Sequence, residues 1–162
     1  MRSRIPWVPS PQPVVKKMLE MACLKPGLRL WDLGAGDGRI VISAASDFNV
    51  RAIGVELDKT MVEAARRRIQ RGKVMRDAWI HEGSFYDFSL RDADVVTMYL
   101  LPEANLRLRA KLEAELPTRA SVICLDYPIP GWTPEEVENI QCGSHLYRIY
   151  RYKPGGNKST EG

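Results

Sequence analysis

The stretch Leu28-Arg-Leu-Trp-Asp-Leu-Gly-Ala-Gly-Asp-Gly38 runs from a short apolar strand into a loop that carries Gly34, Gly36 and Gly38. Ile40, Val41, Ala44 and Ala45 follow at the spacing of one helical face. A strand that turns through glycines into a helix lets the backbone approach a ligand closely, while the first helical N–H groups face it. The loop is G-x-G-x-G and not the G-x-G-x-x-G of dinucleotide sites, because Arg39 stands where that pattern needs its third glycine. An arginine there obstructs the helix–strand packing that a glycine permits. Asp32, at the strand end, is placed to accept from an ammonium or amide rather than to meet a pyrophosphate.

Outward from this loop the chain alternates short apolar runs with amphipathic stretches. Arg51–Leu57, Ala78–Glu82, Asp94–Tyr99 and Ser121–Leu125 are predicted strands. Between them, Val62, Ala65 and Ile69 mark one helix, which Asp58 can cap, and Ala104, Leu108, Leu112 and Leu116 mark another, ending at Pro117. Upstream, Ser10 is the expected cap, and Pro11 the first-turn proline, of a helix carrying Val14, Val15, Met18, Leu19 and Ala22. That helix is expected to stop at Pro26-Gly27. Residues 126–134 hold three prolines and one glycine, so no ordinary crossover helix is expected there. Val137–Cys142 and His145–Tyr152 flank Gly143-Ser144 as a closing hairpin. The expectation is an α/β fold, a single Rossmann-like doubly wound sheet of seven strands, mostly parallel with a C-terminal antiparallel hairpin. Residues 1–152 are expected to form one domain and 153–162 a flexible tail.

The composition agrees. With 162 residues, 44% hydrophobic and 27% charged, the chain suits one domain with a sizeable core. It contains no apolar run of the length that spans a membrane, and Met1–Trp7 has charge without the apolar stretch of a secretory leader. Cys23, Cys124 and Cys142 are odd in number and lack C-x-x-C spacing, which argues against a disulfide framework or zinc site and for a cytoplasmic location. A net charge of +4 leaves acidic partners, nucleic acid included, open.

In a doubly wound sheet the ligand crevice lies beyond the carboxyl ends of the strands. Glu56 ends the second strand, where a carboxylate can take both hydroxyls of a ribose. Leu57 follows it, and Ser84-Phe85 after the third strand can meet an adenine ring. With Asp32 and the Gly34-Ala35-Gly36 turn, closed by Gly38, these strand ends describe a nucleoside-plus-amino-acid ligand without phosphates, which is S-adenosylmethionine.

Asp32-Leu-Gly-Ala-Gly-Asp-Gly38 with Glu56 resembles the first two motifs of the class I, seven-strand methyltransferases. Val8-Pro-Ser-Pro11, Gly36-Asp-Gly-Arg-Ile40, Gly54-Val-Glu-Leu57, Val95–Leu101 and Gly131-Trp-Thr-Pro134 extend the likeness from about residue 8 to residue 152. These motifs are similar to those of the archaeal broad-specificity protein-lysine methyltransferases. Mitochondrial relatives of that family act on the adenine nucleotide translocase and the ATP synthase c subunit. The resemblance implies transfer of a methyl group to lysine ε-amines of protein substrates. Two departures stand out: the membrane-anchoring N-terminal segment of the mitochondrial relatives has no counterpart here, so no membrane substrate is expected, and the usual Pro-Thr-Pro is Pro9-Ser-Pro11.

Other acceptors find less support in the residues. The place after the fourth strand lacks the Asn/Asp-Pro-Pro-aromatic turn of base-nitrogen methylation. None of the three cysteines, expected in a helix, a strand and the hairpin, stands on a loop as a cytosine C5 nucleophile requires. No carboxylate cluster suits magnesium, so no metal is expected. His81 and His145 both fall within expected strands and are read as structural. A lysine amine needs positioning, desolvation and a few oxygens. Tyr99 at the end of the fourth strand, with Asp126 and Tyr127 after the fifth, are the candidates to supply them, and Trp132 could wall an aliphatic channel. The basic run Arg66-Arg-Arg68 with Arg71, Lys73 and Arg76 is expected on a solvated helix face, with Glu63 paired to Arg66 or Arg67. A methyltransferase on RNA or a small molecule, and a non-enzymatic binding module, stay open beside the protein-lysine enzyme. A monomer is expected.

Overall fold

Alternate residues of β1 (Arg29–Leu33) feed opposite faces of a sheet, and this alternation decides which helices cover which side. Leu30 joins one apolar cluster, while Trp31 and Leu33 join the other. The computed structural model describes residues 8–155. The further strands are β2 (Arg51–Glu56), β3 (Ala78–Glu82), β4 (Val95–Met98), β5 (Ser121–Leu125), β6 (Glu136–Cys142) and β7 (His145–Tyr152). They form one seven-stranded sheet in the order β3-β2-β1-β4-β5-β7-β6. Strands β1 to β5 pair in parallel; β7 runs antiparallel to both β5 and β6.

On one face lie α1 (Gln12–Met21), α2 (Arg39–Phe48) and α3 (Lys59–Arg71), which bury Val14, Val15, Met18, Val41, Ala44, Val62 and Ala65. On the other lies α4 (Pro102–Glu115), through Leu108 and Leu112. Both faces of the parallel strands are therefore covered, as near-continuous apolar runs such as the wholly buried Ser121–Leu125 require. Strand order reverses at β1, whose neighbours are β2 and β4, so the switch point opens at Leu33 and Met98.

Several local expectations change. The cap of α1 is Pro11, not Ser10, and no side chain caps it. The helix already ends at Met21; Cys23 lies beyond it, exposed, in left-handed backbone at φ 53°, and not in a helix. Asp58 caps α3 as expected, accepting from Thr60 N at 2.9 Å and Met61 N at 3.4 Å. Glu63 forms no ion pair with Arg66 or Arg67; the Arg66 guanidinium donates instead to the Ile80 carbonyl at 2.9 Å. The 126–134 connection contains no helix. It is pinned by Asn105, buried on α4, whose Nδ2 donates to the carbonyls of Tyr127 at 3.0 Å and Pro128 at 3.3 Å. Lys153, the first residue of the expected tail, donates to Arg119 O and Ser121 Oγ, both at 3.2 Å; residues 156–162 of that tail lie outside the described residues.

Gly54 lies in β2 under the glycine loop, and a Cβ there would stand 2.6 Å from Ala35 Cβ and Ile80 Cδ1 and 3.0 Å from Val41 Cγ2. These are core atoms on three elements, so none can yield alone. Gly54→Ala is expected to destabilise the fold by about 1–3 kcal/mol through overpacking. A lowered urea midpoint at unchanged m-value checks it; an unchanged midpoint would refute it.

Candidate functional site

The glycine loop takes its shape from left-handed backbone at φ +80° for Gly34, +55° for Gly36 and +80° for Gly38, which residues with a Cβ adopt only under strain. This is the physical reason the sequence places glycine at alternate positions. The amides of Gly34 and Ala35 both donate to Val55 O, at 2.9 and 3.0 Å, and Gly36 N donates to Glu56 Oε1 at 2.9 Å. Glu56 Oε2 accepts from Asp58 N at 2.8 Å. The Glu56 carboxylate is thus fixed at the end of β2 by one backbone amide on each oxygen, and each oxygen keeps a lone pair for a ligand hydroxyl.

Asp32 is buried at 3% exposure on the face of α2. Its Oδ1 accepts from Thr97 Oγ1 at 2.8 Å, across the β1–β4 pair. Burial, and secondarily the nearby charges of Glu56 and Asp37, push its pKa up to about 7 against the single opposing hydrogen bond from Thr97. A buried carboxylate raised in this way is stabilised by any cation brought to it. Asp37 has a different part. Its own burial alone would raise its pKa, but the hydrogen bonds and charge of Arg39 and the charge of Arg68 outweigh that and hold it below the ordinary range. Arg39 Nε and Nη2 donate to the two Asp37 oxygens at 3.1 and 2.8 Å, and its Nη1 donates to Ser10 O at 2.7 Å. Arg68 pairs with Asp37 as well, so the basic run supplies structure here and not only a solvated face.

At the end of β3, Gly83 N donates to Glu56 O at 2.9 Å. Ser84 caps the short 3-10 turn Phe85–Asp87, its Oγ accepting from Tyr86 N at 3.3 Å. Phe85 is partly buried against the α4-side cluster and meets Tyr86 edge-on at 4.9 Å. Leu57, next to Glu56, is 71% exposed. The cofactor-side candidates therefore divide into those that shape the crevice, Gly34, Ala35, Gly36 and Gly38, and those with groups at its rim, Asp32, Glu56, Leu57, Ser84 and Phe85.

The acceptor-side candidates meet directly. Tyr99 Oη donates to Asp126 Oδ2 at 3.1 Å, and the Tyr99 and Tyr127 rings lie 6.3 Å apart at 27°. A Cβ on Gly34 would stand 3.0 Å from Leu100 Cδ2, which puts the end of β4 hard against the glycine loop. Burial first, then the charge of Asp126 and its hydrogen bond, hold the Tyr99 phenol well above its ordinary range, so it stays protonated as a donor. Asp126 itself sits in left-handed backbone at φ +60°, and its Oδ1 accepts from Arg148 N at 3.0 Å. His145 Nε2 lies 2.9 Å from Asp126 Oδ2. The sequence reads this histidine as structural; its contact with Asp126 follows from the pairing of β7 with β5. The hairpin was legible; its docking beside Asp126 was not. His81 packs between Trp31 at 6.2 Å and Phe88 at 5.2 Å. Trp132 turns to the α4 face instead of a channel, meeting Tyr152 at 5.8 Å and donating to Glu113 Oε1 at 2.8 Å. Among the described residues no group of three or more His, Cys, Asp or Glu could hold a metal ion, and no helix is long and apolar enough to cross a membrane.

Comparison with known proteins bears on this geometry. A family model of the ANTKMT methyltransferase domain matches residues 32–136. The protein-lysine N-methyltransferase of Saccharolobus islandicus (strain REY15A) is 40% identical over 155 residues, 95% of this chain and 96% of that protein. The adenine nucleotide translocase lysine N-methyltransferase of Mus musculus is 32% identical over 160 residues, 99% of this chain and 68% of that protein. Among solved structures, the RNA methyltransferase from Salinibacter ruber in complex with S-adenosyl-L-homocysteine matches with a TM-score of 0.86 at 34% identity, covering 96% of this chain and 98% of that one. The chain belongs to the ANTKMT methyltransferase domain family, and it is a class I methyltransferase that takes its methyl group from S-adenosylmethionine.

Proposed function

We propose that the chain methylates the ε-amine of lysines in protein substrates. The observation that carries this most is the pair Tyr99–Asp126, a neutral phenol held by a carboxylate beside the Tyr127 ring, just past the ends of β4 and β5 and next to the switch point. The names of the Saccharolobus and mouse relatives support the same acceptor. The Salinibacter RNA methyltransferase favours RNA as a second reading, and Arg67, Arg71, Lys73 and Arg76 are exposed, but Arg66 and Arg68 already hold the Ile80 carbonyl and Asp37. Cys23, Cys124 and Cys142 all stand free, which supports a reducing, cytoplasmic setting.

S-adenosylmethionine supplies an electrophilic methyl on a sulfonium when bound. The residues suit it: Asp32 would offer a buried carboxylate to its ammonium, Glu56 would offer spare lone pairs to its ribose, and Leu57, Ser84 and Phe85 would border its adenine. Gly34, Ala35, Gly36 and Gly38 let backbone come close to the amino-acid end. Tyr99, Asp126 and Tyr127 orient and desolvate the incoming amine, whose lone pair must point along the bond to the methyl.

Glu56→Ala is expected to weaken S-adenosylhomocysteine binding by roughly 10- to 150-fold, since a charged acceptor contributes about 1.5–3 kcal/mol. An unchanged calorimetric constant would remove Glu56 from the site. Asp32 has a folded pKa of about 7 against an ordinary 3.8, so the empty protein loses stability as pH rises from 3.8 to about 7 and does not regain it above. The loss is on the order of 4 kcal/mol at one proton's linkage. Asp32→Asn is therefore expected to melt higher than the wild type at pH 8 without ligand, to lose that advantage near pH 4, and to bind S-adenosylhomocysteine at least tenfold more weakly. A wild type that melts higher at pH 8 would contradict the assignment. Tyr99→Phe keeps the ring and is expected to leave donor affinity within about threefold while kcat and kcat/KM fall together by about 10- to 100-fold. Collapse of donor affinity instead would make Tyr99 a cofactor-packing residue.

A further inference from the structure

Asp126 carries two unlike neighbours on one oxygen. Its Oδ2 accepts from Tyr99 Oη at 3.1 Å and lies 2.9 Å from His145 Nε2, while its Oδ1 is locked by Arg148 N at 3.0 Å. The backbone is locked too, with Asp126 N donating to Arg148 O at 2.7 Å. Exposure rises along the chain of groups: the Asp126 side chain is 13% exposed and that of His145 is 55% exposed. A cleft of about 260 Å³, lined by Asp126, Tyr127, His145, Leu146, Arg148 and Tyr150, opens this end to water. A protein lysine arrives as an ammonium, and this cleft is where its proton can leave the half-buried phenol–carboxylate pair.

We propose that His145 is the proton exit of the site, a residue that never touches the amine but receives its proton through Tyr99 and Asp126 and passes it to solvent. This rests on the lysine acceptor argued above. One N–H bond of the ε-ammonium breaks and its proton moves to Tyr99 Oη as the phenol's own proton moves to Asp126 Oδ2. The proton on Oδ2 then moves to His145 Nε2, which accepts it in the Nδ1–H tautomer; the imidazolium gives its Nδ1 proton to water, and the ring regains the Nδ1–H tautomer by losing its Nε2 proton to solvent and taking one from solvent at Nδ1. Tyr99 and Asp126 return to their starting forms, and the amine keeps its lone pair for the methyl group.

One cation, Arg148, lines the same cleft as this path, and the remaining neighbours are neutral or paired. The Tyr147 ring meets His145 at 4.2 Å, Cys142 stands opposite it on β6, and Tyr127 and Tyr150 complete the wall. Arg148 Nε donates to Asn139 Oδ1 at 3.2 Å, and Lys17 on α1 is paired with Glu138 at 2.9 Å.

The test is methyl transfer from labelled S-adenosylmethionine to a lysine-bearing protein acceptor, followed from pH 7 to 10.5 for wild type, His145→Ala and Asp126→Asn. His145→Ala is expected to bind S-adenosylhomocysteine within about twofold of wild type. Its turnover near neutral pH is expected to fall by about 100-fold, the low end of general acid–base effects. The deficit is expected to close toward pH 10.4, where free lysine gives up its proton unaided. Added imidazole is expected to restore the neutral-pH rate of His145→Ala and not that of Asp126→Asn. Unchanged turnover in His145→Ala, or a deficit equal at every pH and deaf to imidazole, would overturn the exit. Absence of lysine label with the wild type would overturn the acceptor itself, and the exit with it.

Discussion

Val55 and Glu56 take three successive amides, those of Gly34, Ala35 and Gly36, and the crevice depends on this short set of bonds. They fold the loop back over β2, which turns the strand end into a platform and aims the Glu56 carboxylate by the same stroke. The geometry works only with left-handed backbone at Gly34, Gly36 and Gly38, and only with no side chain on Gly54 beneath Ala35. Arg39 and Asp37 extend the arrangement outward. Their ion pair reaches Ser10 O, so the segment entering α1 is tied to the glycine loop.

Around that platform the charges are unequally treated. Asp37 is neutralised by two arginines, and Glu56 is steadied by amides. Asp32 is buried with one hydroxyl and no cation, which raises its pKa and leaves it ready for a positively charged ligand. On the far side of β4, Tyr99 is kept protonated by burial and by Asp126, a state in which it donates one hydrogen bond and can accept another.

The parallel sheet, its helices and the closing hairpin were legible because local patterns dictate them: alternation in β1, four-residue spacing of Leu108 and Leu112, the prolines of 126–134. The glycine loop was legible because left-handed backbone leaves a compositional trace. Tyr99, Asp126 and Tyr127 could be named because they follow strand ends in a fold whose crevice position is known in advance. What stayed hidden depends on distant pairings. His145 reaches Asp126 only because β7 docks antiparallel on β5, and Asn105 holds the 126–134 connection across an interval that no periodicity reveals. The bonds of Arg66 to the Ile80 carbonyl and of Arg68 to Asp37 were hidden for the same reason, since a basic run on a helix looks wholly solvated until its neighbours are placed.

The central claim, that the acceptor is a protein lysine, is tested most directly by incubating the protein with labelled S-adenosylmethionine and separate protein and RNA fractions of a lysate, then identifying the labelled residue by mass spectrometry. The account predicts label in the protein fraction, on lysine Nζ, with the RNA fraction blank. Label on RNA alone, or on a protein residue other than lysine, would contradict it.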